Sequence, residues 1–126
     1  MSFFDSFDLY NILFLDIETV PGTSNFEDLN EELQELWGIK CRTILRKAEG
    51  ELEYDEIAEA YGNRAGIYAE FGQIVCISVG FLTRQPENNE PLLRLKSFTN
   101  HMEAGLLDDF SEVLNKHFNN PDKFAI

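Results

Sequence analysis

The stretch "LFLDIETVPG", Leu13 to Gly22, decides how the chain is read. Leu13, Phe14, Leu15 and Ile17 surround Asp16, and Glu18 follows two places later. The apolar lead-in from Ile12 to Leu15 suits both faces of a strand at the centre of a sheet, and Pro21 and Gly22 break it. The reading is therefore a buried strand over 11–18. In a strand, residues i and i+2 point to the same side, so Asp16 and Glu18 project side by side while Ile17 is expected to point into the core. Two carboxylates held that close repel each other and tend to take up a proton. A divalent cation with a preference for hard oxygen ligands, Mg²⁺ or Mn²⁺, removes that conflict.

Composition narrows what such a strand end serves. The chain has 126 residues, 44% of them hydrophobic, enough for one domain with a real core. No apolar run is long enough to span a bilayer, and the start "MSFFDSFDLYN" has no basic segment of the signal-peptide kind. Cys41 and Cys76 sit in no zinc-ligand spacing and make no disulfide framework, which points to a cytoplasmic protein with reduced thiols. Ten Lys and Arg stand against 23 Asp and Glu, a net charge of −13. That balance repels phosphate backbones and excludes a general nucleic-acid-coating role. It leaves room for an enzyme whose metal ions supply local positive charge.

Outward from the first strand, "FEDLNEELQELW" (26–37) has apolar residues at helical spacing. Residues 40–52 are mixed and carry no assignment. "YDEIAEAY" (54–61) reads as a short helix ended at Gly62. "QIVCISVGFL" (73–82) is a second buried strand. "LLRLKSF" (92–98) alternates, with Leu93 and Leu95 on the buried side and Arg94 and Lys96 outward, as at a sheet edge. The polar loop between these two strands makes them a hairpin. Asn100 with Glu103 resembles a capping box, followed by a helix near 102–118 and a last strand at 122–126. A helical crossover after a hairpin predicts a mixed sheet, antiparallel through the first three strands and parallel at the fourth.

"FLDIETVPG" followed after a gap by "EFGQIVCISVGF" resembles the start of a DEDD-type 3′–5′ exonuclease. The nearest likeness is to predicted exonucleases related to the proofreading domain of family B DNA polymerases. The resemblance covers roughly 11–20 and 71–126 and implies a ribonuclease H-like α/β fold. It implies two Mg²⁺ or Mn²⁺ ions in the complete family site, with Asp16 between both and Glu18 on the one nearer the nucleophile. The implied substrate is the 3′ end of single-stranded DNA or RNA, with Thr19 and Val20 near the terminal nucleotide. The family's later motifs, an Asn and an Asp and then a Tyr or His base with a final Asp, would follow "KFAI". The resemblance thus implies that residues 1–126 are a single, incomplete amino-terminal portion of such a domain. Little activity of its own is expected, with uncovered apolar surface that favours self-association.

Two alternatives stand beside this reading. One is a phosphatase of the haloacid dehalogenase type, which wants a second Asp where Glu18 stands and a helix in place of the hairpin loop. The other is a non-catalytic ribonuclease H-like interaction module. His101 and His117, at the two ends of one helix, read as surface or capping residues. Trp37, Tyr54, Tyr61 and Tyr68 read mostly as core. Arg64 and Tyr68 are candidates to approach a substrate phosphate.

Overall fold

A four-stranded sheet in the order β3-β2-β1-β4 organises the chain. The computed structural model describes residues 6–125. Its elements are β1 (Ile12–Pro21), α1 (Glu31–Leu45), α2 (Tyr54–Arg64), β2 (Gly72–Arg84), β3 (Pro91–Thr99), α3 (Glu103–His117) and β4 (Phe124–Ala125). Strands β1 to β3 form a three-stranded antiparallel sheet. Ile12 bridges to Phe124 and Leu13 to Ala125. Of the last strand expected over 122–126, Ile126 lies outside the described residues. The fold divides into two compact units, residues 1–18 with 74–126 and residues 19–73.

In the first unit, α3 packs on one face of the sheet. Its Leu106 is fully buried against Leu13, Ile77, Val79 and Phe98, and Phe110, Val113, Leu114 and Phe118 pack around that cluster. β2 and β3 pair from Cys76 with Thr99 through to Arg84 with Pro91. The hairpin turn over 85–90 closes with Gln85 N–H donating to the Glu90 carbonyl at 2.9 Å, and Asn89 adopts the left-handed conformation at φ 60°. Asn tolerates that region because its short polar side chain bonds locally.

Three expectations for this unit need correcting. Ile17 shares the face of Leu13 and Leu15 by strand alternation but is 44% exposed, so it is not buried in the core. Leu93 and Leu95 are 54% and 76% exposed. The buried side of β3 is the one that carries Phe98, and by strand alternation it is shared with Arg94 and Lys96. The alternation was legible, but helix α3 covers the opposite face from the one the two leucines prefer. Nor does Asn100 form a capping box with Glu103. Met102 is the N-cap, the Asn100 side chain accepts from Met102 N–H, and the Glu103 carboxylate accepts from Ile74 N–H at 2.8 Å. A long-range bond to β2 has displaced the local one.

The second unit is built round Trp37, which is fully buried. Its ring meets Phe71 and Tyr61 edge-on at centroid distances of 5.1 and 5.5 Å, and its indole N–H donates to the Ile57 carbonyl at 3.0 Å. The buried Tyr61 hydroxyl is held by the Thr23 backbone N–H and side chain at 3.2 and 2.9 Å. Both rings therefore bury their surface with their polar ends satisfied. The helix expected over 26–37 is instead a 3₁₀ turn at Phe26–Asp28 followed by α1. Asn30 divides them because its side chain accepts from Leu33 N–H at 2.8 Å, an N-cap bond that starts the helix at Glu31. The helix then runs through the unassigned residues to Leu45, ending on Arg46 at φ 56°. Gly62 does not stop α2, which continues to Arg64. Gly72 marks a close approach that no other residue would allow: a Cβ there would sit 2.5 Å from the Gly66 carbonyl oxygen.

Candidate functional site

β1 enters the first unit with Ile12 and Leu13 almost wholly buried and leaves it as a run of exposed residues. Alternation puts Leu13 and Leu15 on the face that packs with α3, and Phe14, Asp16 and Glu18 on the other. Asp16 and Glu18 are both exposed, as are Thr19 and Val20, the next residues of β1, which belong to the second compact unit. Neither the Asp16 nor the Glu18 carboxylate has an ion-pair partner among the described residues.

Asp16 lies on the wall of an open groove of about 600 Å³ on the side of the first unit's sheet opposite α3. Phe14, Gly80, Leu93, Leu95 and Ser97 line it with Asp16. Across β2 and β3, the Ser78 and Ser97 hydroxyls hydrogen-bond at 2.9 Å. Gly80 leaves room in the floor for Leu95, whose Cδ2 would meet a Cβ at that position at 2.9 Å. Glu18 is not part of that wall. Sequence reading missed the serine pair, although the hairpin register that places Ser78 opposite Ser97 follows once the turn over 85–90 is fixed.

The donor chemistry is that of two hard carboxylates without a cation of their own. Among the described residues, no group of three or more His, Cys, Asp or Glu side chains is arranged to hold a metal ion. A pair of carboxylates suits Mg²⁺ or Mn²⁺, which fill the rest of their coordination with water or phosphate oxygens.

The other residues singled out from sequence fall elsewhere. His101 is exposed just before α3, and His117, its last residue, stacks on Phe81 with ring centroids 6.0 Å apart. Trp37 and Tyr61 are core, whereas Tyr54 is 55% exposed. Tyr68 packs beside Trp37 and carries the Lys40 ammonium 4.2 Å above its ring. Arg64 is exposed at the end of α2. No described helix is long and apolar enough to cross a membrane. No protein-family model, curated protein or solved structure matches the chain.

Proposed function

We propose that this chain carries the first metal-binding motif of a DEDD-type 3′–5′ exonuclease. The proposed fold is ribonuclease H-like, with the fourth strand parallel to the first, a direction that the bridges from Ile12 to Phe124 and Leu13 to Ala125 support. The single observation that carries the proposal is the placement of Asp16 and Glu18: on one strand, where alternation gives them the same face, both exposed, and without ion-pair partners among the described residues. In this reading Asp16 and Glu18 hold a divalent ion, Mg²⁺ or Mn²⁺. When bound, the ion supplies a nucleophilic water at neutral pH and neutralises charge at the phosphodiester. The two side chains would hold that ion on the exposed stretch of β1. They also make it the point at which a chain of net charge −13 can accept a phosphate. The substrate class is the 3′ end of single-stranded DNA or RNA.

The hairpin over 85–90 favours this reading over the haloacid dehalogenase alternative, which needs a helical crossover there. The test is binding of a single-stranded oligonucleotide with phosphorothioate linkages, followed by fluorescence anisotropy with and without Mn²⁺. Binding should require Mn²⁺ and disappear in Asp16→Ala and Glu18→Ala. Binding of equal strength without metal, or unaffected by both substitutions, rules the proposal out.

A further inference from the structure

The outer edge of β3 brings together three features that the site above does not use. First, β3 ends the sheet, so one side of its nine-residue backbone has no neighbouring strand among the described residues. Second, its side chains are sorted. Leu93 and Leu95, 54% and 76% exposed, share one face, and exposed Arg94 and Lys96 share the other. Third, those two cations have no carboxylate partner among the described residues, in a chain where acids outnumber bases 23 to 10. The Lys96 ammonium lies 4.7 Å above the Phe98 ring instead.

A second copy of the chain is a poor occupant for this edge. The antiparallel register that pairs all of Pro91–Thr99 with itself is centred on Leu95, and it sets Arg94 opposite Lys96 of the second copy, twice. Like charges directly opposite in a sheet are destabilising. Basic residues on an edge strand thus block homotypic pairing, while they attract a strand of opposite charge. A phosphate polymer would satisfy the two cations but leave the leucines and the backbone edge unused.

We propose that the β3 edge binds an extended acidic–apolar segment of another protein by strand addition. Backbone hydrogen bonds form along the edge, apolar side chains of the segment lie beside Leu93 and Leu95, and its carboxylates stand opposite Arg94 and Lys96. Affinity comes from the main chain and specificity from the alternation.

The probe is a fluorescein-labelled peptide that alternates valine and glutamate and matches β3 in length, titrated with the full chain. Saturable binding is expected, weakened at least about ten-fold by the double substitution Arg94→Glu, Lys96→Glu. Both positions are exposed, and an unchanged thermal transition shows that the variant is folded. N-methylation of alternate peptide amides, which removes the donors along one edge and keeps every side chain, should abolish binding. No binding, equal binding of the N-methylated peptide, or equal binding of the same peptide with lysine for glutamate would each overturn the proposal. So would a dimer in sedimentation that Leu95→Lys dissolves. Displacement of the peptide by a single-stranded oligonucleotide at lower concentration than by the unlabelled peptide would reassign the surface to phosphate and overturn it as well.

Discussion

Replacing Leu106 by Ala tests the one-sided packing on which the site depends. Leu106 is fully buried and contacts the cluster of Leu13, Ile77, Val79 and Phe98 between α3 and the sheet. Truncation loses the transfer energy of the missing carbons and leaves a cavity in a site walled by two rigid elements, so the loss should lie in the upper half of the usual 2–5 kcal/mol for Leu→Ala, about 4 kcal/mol. That is a large share of the roughly 5–15 kcal/mol by which a domain is stable. Leu95→Ala, on the face opposite α3 at 76% exposure, removes the same atoms from a position already in water and should cost under about 1 kcal/mol. The assay is urea unfolding followed by far-UV circular dichroism, with both variants compared at equal denaturant slope. Equal losses at the two positions, or a larger one at Leu95, would refute the assignment of α3 to the Leu106 face. The assignment of Asp16 to an open face would fall with it.

Three further outcomes follow from individual groups. Burial pushes the Cys41 thiol pKa up, with Arg64 pulling it down less, so Cys41 should stay unmodified by iodoacetamide in the native state while the half-buried Cys76 reacts first; mass spectrometry of digested protein reads both. The hydrogen bond from Lys47, and then the one from the Glu53 backbone N–H, hold Glu56 below the ordinary glutamate range. That contribution to stability is complete above the unfolded glutamate pKa of about 4.3 and is lost as pH falls through the lower folded value, so the gap in melting temperature between wild type and Glu56→Gln should be present at neutral pH and close in acid. Hydrolysis of a 3′-labelled single-stranded oligonucleotide in millimolar Mn²⁺ should be slight, because two carboxylates are too few to hold two ions for in-line displacement; robust digestion that Asp16→Ala abolishes would contradict that limit.

The strands and α3 were legible because their signals are long and local: the β-branched run at 73–82, the apolar lead-in to Asp16, and the stripe from Leu106 to Phe118. The errors fall where a short-range pattern met a competing bond. Asn30 looks like one polar position inside a helical repeat, yet its side chain caps Leu33 and splits the segment. Glu103 sits at capping-box spacing from Asn100, yet its carboxylate is taken by Ile74 N–H, 29 residues away. Gly62 matches a helix stop, but α2 runs past it to Arg64. On β3, alternation showed which residues share a face; which face is buried depends on where α3 packs, and no local pattern encodes that. The pairing of Asp16 with Glu18 on one face followed from spacing alone, whereas the groove beside Asp16 depends on the β2–β3 register.

The central claim is that Asp16 and Glu18 together hold a divalent cation. Paramagnetic broadening tests it most directly: substoichiometric Mn²⁺ is added to isotopically labelled protein and the loss of amide signals is followed residue by residue. Signals around Asp16 and Glu18 should disappear first, saturably, and keep their intensity in both Asp16→Ala and Glu18→Ala. Broadening spread over the many surface acids, or centred near Asp16 yet unchanged in the two variants, would contradict it.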